Sequence, residues 1–339
     1  MRIRALTRMV ITVALLLSAQ SPAQAGLNAE IDLSNPRIVP MYNSDSQIGI
    51  RKGDQASYSG FLYSSRIIFS AAHSEYTFDE NGNKVFSKSP YLFAGRPNTK
   101  AGDYTGAVRV IQRYVAKNYR SQNGILDDFA VYVLEKDLIT AQPVSLLTKD
   151  LELELINSGT PVMIHGYGEY LDRCNSGEKL PCSPKHQKTF LPRSLTATLS
   201  TLTQAEKFVG YERPQLANHL TIINGKTGFG CGGDSGGSIT ATYNGIFTYL
   251  GTTPNGMNGY ACGASTYYDG IGGIQYSSPV YKHLDIIQEA ENFVAEAVLR
   301  EEALKKLEKK ITCQKNKQPK KRMVVNGTKC PSGYRKLPA

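Results

Sequence analysis

Ser235 stands in the stretch GFGCGGDSGGSIT, residues 228–240, where six of thirteen residues are glycine. A serine hydroxyl attacks a carbonyl only with a base beside it. Bare backbone around it lets two N–H groups face the oxygen that becomes negative during the attack. The chain offers five histidines, His73, His165, His186, His219 and His283. His73 ends RIIFSAAH, an apolar run passing into two small residues. Two acids, Asp127 and Asp128, open the apolar run LDDFAVYVL. An aspartate buried beside a histidine would fix its tautomer and stabilise the imidazolium. Each feature also has a plainer reading: a glycine-rich turn, a strand-end histidine, acids solvated at a strand mouth. Two other ligand motifs are weaker. Gly225-Lys226-Thr227 matches the end of a phosphate loop, but Leu220 stands where its first glycine is required. In FDENGNKV, Asp79 and Glu80 can be read as calcium ligands, but Asn81-Gly82 favours a plain hairpin.

The elements that must position these residues read as short strands. SGFLYSSRIIFSAA, AVRVIQRYVA, DFAVYVLE, TPVMIHGYG, SLTATLSTL, GSITATY and IFTYLGTT are rich in β-branched and aromatic residues and separated by Gly, Asn, Asp and Ser. That pattern predicts a sandwich or barrels. From Val280 the texture changes. Val280, Leu284, Ile287, Val294, Ala297, Val298, Leu304, Leu307 and Ile311 mostly keep three-to-four spacing among charges, which predicts an amphipathic helix. Some 30 residues would reach about 45 Å, so its far half is expected to leave the domain.

Export is written into the first 25 residues. Arg2, Arg4 and Arg8 precede the apolar run MVITVALLLSA, and Ala23 and Ala25 mark a cleavage site. The run is too short for a membrane span, and no later segment is apolar enough for one. Secretion permits disulfides, and the six cysteines are even in number. The charge is uneven. Residues 309–339 hold ten Lys/Arg and no acid, the first 25 residues hold three Arg, and the 26 remaining basic residues face all 29 acids. The body therefore has no basic excess, which argues against nucleic-acid binding.

Taken in order, SAAH at 70–73, DFAVYVL at 128–134 and GDSGG at 233–237 resemble the three signature segments of the chymotrypsin-like (trypsin-like) serine peptidases. His, Asp, Ser is that family's chain order. HGYGE resembles its Gly-aromatic-Gly turn, with Tyr167 where Trp is usual, and VIQRYVAKNY resembles the segment leading to the catalytic Asp. The helix from Val280 stands where the family has its C-terminal helix. The resemblance covers roughly residues 38–293. It implies an all-β fold of two packed six-stranded Greek-key barrels with a C-terminal helix, here extended by a small basic tail. The expected divisions are a signal peptide (1–25), a propeptide (26–37), the peptidase domain (38–293), a helical extension or linker (294–311) and a basic Cys-bounded tail (312–339).

Carried over to this sequence, the resemblance implies Ser235 as nucleophile, His73 as general base and then acid, and Asp128 orienting His73, with Asp127 the adjacent alternative. The N–H groups of Gly233 and Ser235 would form the oxyanion hole. It implies the disulfide Cys231–Cys262; Cys174–Cys182 and Cys313–Cys330 are the simplest pairings left. A bridge usual in the family would join the positions of Ser74 and Tyr58, and both cysteines are absent. No metal or cofactor is implied. Two features depart from the pattern. The family's new N-terminus is Ile-Val-Gly-Gly, whose amine pairs with the acid before the nucleophile. PRIVPM offers Ile38 after Arg37 for a pairing with Asp234, but Pro40-Met41 replaces the glycines, so either residues 26–37 are a propeptide or the enzyme needs no cleavage. The residue on the specificity-pocket floor is Phe229, which argues for cleavage after apolar or small residues and against Lys/Arg, although Asp269 could enter the pocket wall. Pro254, Asn255 and Gly256 would pair with substrate backbone.

The tail resembles a Cys-bounded, Lys-rich element at the ends of secreted actinobacterial proteins. Its charge suits attachment to an anionic wall or surface polymer; its plain reading is a solvated hairpin. The expectation is a secreted, monomeric serine endopeptidase acting on protein or peptide substrates, extracellular and wall-associated through the tail. The alternative is a catalytically silent, protease-like binding protein held to a surface by that tail.

Overall fold

The computed structural model describes residues 30–47, 56–78, 84–86, 91–119, 127–171, 186–188, 191–210, 212, 214–224, 234–253, 274–308, 310–315, 322–326 and 329–337. Six antiparallel strands close a barrel in the order Ile38–Ser44, Ala56–Ser64, Ile67–Ser70, Ala130–Leu134, Val108–Val115 and Tyr91–Ala94. Each strand comes from an apolar, β-branched or aromatic run, which fits a pleated, buried surface. The run SGFLYSSRIIFSAA divides at Ser65-Arg66, so one predicted segment supplies two paired strands. All five residues of Ala130–Leu134 are buried. That follows from its central place, with the barrel interior on one face and the C-terminal helix on the other.

A second, eight-stranded sheet runs in the order Ser145–Leu146, Ile246–Thr252, Ser238–Tyr243, Pro161–Gly166, Arg193–Ser200, Leu220–Asn224 and Ile274–Ser277, with the short strand Glu30–Ile31 also on Arg193–Ser200. Pro279, just past the last strand, bridges back to Gly251 near the other edge. One continuous apolar core joins the barrel to this sheet. At its centre Phe61 and Phe69 of the barrel lie 4.6 and 5.1 Å, ring to ring, from Tyr249 of the sheet. Fully burying one such ring contributes about 1.5–3 kcal/mol, so the aromatic contacts hold the two units in fixed register.

The predicted C-terminal helix is present as one continuous element, Leu284–Glu308. It does not leave the body at its midpoint. Ile286, Ile287 and Ala290 are buried against the core. Tyr63 Oη donates to Glu291 at 2.9 Å, and Arg66 forks onto both oxygens of Glu301 at 2.7 and 3.0 Å. The barrel therefore holds the helix as far as Glu301, and the expected linker beginning at 294 is docked over its first two turns. Periodicity could show the apolar stripe but not that acids beyond it would meet Tyr63 and Arg66.

Beyond the helix, Lys310–Lys315 is the middle strand of a three-stranded antiparallel sheet with Arg322–Asn326 and Tyr334–Lys336. Cys330 is disulfide-bonded; the side chain of Cys313, its expected partner, lies outside the described residues. The strands Tyr76–Phe78 and Lys84–Phe86 pair antiparallel around the Asn81-Gly82 signal. Among the described residues no helix is long and apolar enough to cross a membrane.

Candidate active site

The three candidate side chains arrive from three separate segments. His73 lies in a single turn, Ala72–Ser74, directly after the strand Ile67–Ser70. Asp128 precedes the strand Ala130–Leu134, which pairs with the strand leading to His73 through Ser70↔Ala130. Ser235 precedes the strand Ser238–Tyr243 of the second sheet. Asp128 is 1% exposed. Its Oδ2 stands 2.6 Å from His73 Nδ1, and its Oδ1 accepts the His73 backbone N–H at 2.9 Å. His73 Nε2 stands 2.9 Å from Ser235 Oγ. An ionised carboxylate is an acceptor only, so Nδ1 carries the ring proton and Nε2 is left to accept from the serine hydroxyl. One aspartate thus fixes both the tautomer and the backbone of the histidine.

Two glycines after Ser235 make the turn possible. Gly236 has φ +80°, and a Cβ there would overlap Ser59 O and Ser70 Oγ. A Cβ on Gly237 would overlap the carbonyl of His165. Ser59 is the joint between barrel and turn. Its N–H donates to Ser235 O at 2.9 Å, its Oγ accepts the Tyr167 N–H at 2.8 Å, and its carbonyl accepts from Ser70 Oγ at 2.8 Å. Asp234 is buried and accepts the Gly168 N–H at 2.8 Å. Gly166 and Gly168 have no room for a side chain because the Asp234 carboxylate occupies it.

Behind His73 lies a buried network with no local sequence signal. Glu75 is fully buried and accepts from Tyr58 Oη at 2.6 Å, with Arg113 Nη1 3.3 Å from its other oxygen. Burial, and then the neighbouring Tyr132 and Glu75, push the Tyr58 hydroxyl well above its usual range. This bond ties the strand Ala56–Ser64 to the end of the histidine turn. Glu75→Ala removes an acceptor shared by Tyr58 and Arg113. The expected loss is about 3–5 kcal/mol, as for breaking a buried ion pair, read as a lower midpoint in denaturant unfolding. A change below about 1 kcal/mol would show that the network is not needed to hold the turn.

The other predicted residues divide as follows. Ile38 is fully buried within its strand, paired with Phe61. The Arg37 guanidinium before it donates to the carbonyls of Leu62 and Tyr63 at 3.0 Å and of Gln142 at 2.9 Å. Upstream, Asp32 Oδ2 is 3.3 Å from His165 Nε2. The His165 contact, opposed by partial burial, holds the Asp32 carboxyl well below the usual range. Glu30–Ile31 is thus paired into the second sheet, while Arg37 is tied to the barrel. Asp127 faces away from His73, toward Ser278 and Lys282. Phe229, Gly233, Pro254, Asn255, Gly256, Asp269, Asp79, Glu80, Cys174, Cys182, Cys231 and Cys262 lie outside the described residues. Thr252 was not legible as a site residue; its Oγ1 donates to Asp128 O at 3.0 Å. No protein-family model and no curated protein matches the chain.

Proposed function

We propose that the chain is a secreted serine endopeptidase of the chymotrypsin-like kind, hydrolysing peptide bonds through an acyl-enzyme. The observation that carries this reading is His73 held between Asp128 at 2.6 Å and Ser235 at 2.9 Å. The closed barrel, and the second sheet curling until Pro279 bridges Gly251, support a two-barrel architecture with the triad at the junction.

In the first step Ser235 Oγ bonds to the scissile carbonyl carbon and its proton passes to His73 Nε2. The carbonyl π electrons move to oxygen, where the N–H groups that the resemblance assigns to the oxyanion hole, those of Ser235 and Gly233, would receive the charge. Collapse breaks the C–N bond, and His73 returns its proton to the leaving amine. Water then repeats the sequence on the acyl ester, releasing acid and free Ser235. Asp128 keeps its negative charge throughout and stabilises the imidazolium.

The resemblance assigns Phe229 to the pocket floor; with that residue there, a buried Lys or Arg of the substrate would have no partner charge, which is costly. Cleavage of a peptide library is expected after apolar or small residues and to be absent in His73→Ala. No cleavage by the parent chain would contradict the enzyme reading; dominant cleavage after Lys/Arg would contradict the pocket assignment alone.

The basic tail is the proposed attachment to an anionic wall polymer, since residues 309–339 hold ten Lys/Arg and no Asp/Glu. Such binding weakens as salt shortens the screening length, ~8 Å at physiological ionic strength. Truncation after Lys306 keeps the Glu301 anchor. It is expected to leave peptide hydrolysis unchanged while lowering retention on anionic wall material at low salt. Equal retention of the truncated chain would rule the attachment out.

A further inference from the structure

Asp127 directly precedes Asp128, yet its carboxylate takes no part in the triad. We propose that Asp127 is a positioning residue. Through Ser278 and Lys282 it fixes the 127–128 backbone, and with it the Asp128 carboxylate on His73. Its effect on turnover rests on the hydrolase reading above.

The backbone at Asp127 is left-handed, with φ +53°, a region costly for residues with a Cβ and most tolerated in Asn and Asp. Something must hold it there. Asp127 is 8% exposed, and its Oδ1 accepts from Lys282 Nζ at 2.6 Å and from Ser278 Oγ at 3.0 Å. Burial alone would raise its carboxyl; Lys282 and the neighbouring polar groups outweigh that and hold it below the usual range. Ser278 Oγ is also 2.6 Å from His283 Nε2. The serine has one proton and gives it to Asp127, so His283 donates from Nε2 to Ser278. Burial holds His283 low, at about 4, hence neutral. The Phe129 ring stacks on His283 at 4.6 Å and 7°.

Three consecutive residues are therefore gripped from outside the barrel. Asp127 is held by Ser278 and Lys282, the Asp128 carbonyl by Thr252, and the Phe129 ring by His283. Thr252 is itself fixed, its carbonyl accepting from Ser277 Oγ at 2.6 Å. These partners lie in the second sheet, in the turn that starts the C-terminal helix or, for Ser278, on the short link between the two. His73 belongs to the barrel. The His73–Asp128 distance thus depends on how firmly 127–129 is tied across the junction, and Asp127 supplies the only charged tie among those described. A displacement of ~1 Å at a reacting group can cost ~10²-fold in rate, so a residue that touches no substrate can still set kcat.

The test uses the full chain with Asp127→Asn, Lys282→Met, both together, and Ser278→Ala. Three quantities are read: kcat and KM for a peptide substrate, and the low-field proton resonance of the His73–Asp128 hydrogen bond. Asparagine tolerates the left-handed backbone, so Asp127→Asn removes the ionic tie with least damage to the turn. It should lower kcat roughly 10- to 100-fold at unchanged KM and shift the resonance. The double variant should lose no more than the worse single one, because the two residues act as a unit. Ser278→Ala should move the same readouts in the same direction by less, and it decides the matter if Asp127→Asn does not fold. Folded variants with parental kcat and an unshifted resonance would overturn the proposal. So would a kcat loss that merely tracks loss of folded protein. The resonance needs no turnover. An inactive parent would count against the hydrolase reading, while the resonance would still decide the positioning role.

Discussion

Replacing Ser235 with Ala is expected to lower peptide turnover by about 10⁶-fold, the scale found when the nucleophile of a well-formed serine triad is removed. The reason lies in the bond lost. Ser235 Oγ is the atom 2.9 Å from His73 Nε2, and alanine leaves the imidazole with no hydroxyl to deprotonate and no acyl acceptor. The fold should survive. The turn is made by Gly236, Gly237 and the Ser59 N–H to the Ser235 carbonyl, none of which needs the hydroxyl. Steady-state hydrolysis and thermal unfolding, measured together, separate the two effects. A variant that hydrolyses peptide within tenfold of the parent would remove Ser235 from the mechanism.

The second large effect is expected from Asp128→Asn, about 10⁴-fold in kcat. Asp128 accepts two N–H groups, one from the His73 backbone and one from Nδ1. Asparagine offers one oxygen and one NH₂. If the oxygen keeps the backbone N–H, the amide donates to Nδ1. The imidazole then carries its proton on Nε2 and confronts Ser235 with a donor. The charge that stabilised the imidazolium is lost as well. The shape is nearly unchanged, so stability should fall little. At high pH part of the loss should be recovered, since hydroxide can substitute for the missing base. A kcat within tenfold of the parent would show that Asp128 only braces the histidine turn.

The three side chains that meet, His73, Asp128 and Ser235, could be picked out because each of their segments carries a local physical signature. Gly236 and Gly237 are required by contacts that leave no room for a Cβ. After Asp128, FAVYVL carries no charge because Phe129 and the strand that follows it are buried on both faces. SAAH places small residues, Ala71 and Ala72, where the chain turns inside the core. The choice between Asp127 and Asp128 was not legible from spacing alone. It is decided by a left-handed residue at 127 that sends the two carboxylates different ways. Glu75, Thr252, Ser277 and Ser278 gave no signal, because a buried polar residue and a solvated one have the same letter. Ile38 is a position where composition and structure speak to different questions. Arg37-Ile38-Val39 has the composition of a cleavage site, but Ile38 and Val39 are buried strand residues and the guanidinium of Arg37 is held by three carbonyls. The helix was found by its period, while its length on the barrel is set by Arg66 and Glu301, partners 235 residues apart.

The most direct test of the central claim is covalent labelling by a fluorophosphonate probe, followed by peptide mapping. The probe phosphorus is attacked only by a serine whose proton can leave to a base, and fluoride departs as the bond forms. The chain is expected to be labelled at Ser235 alone, with labelling lost in Ser235→Ala and greatly slowed in His73→Ala. Folded protein that takes up no label, or takes it equally well after either substitution, would contradict the account.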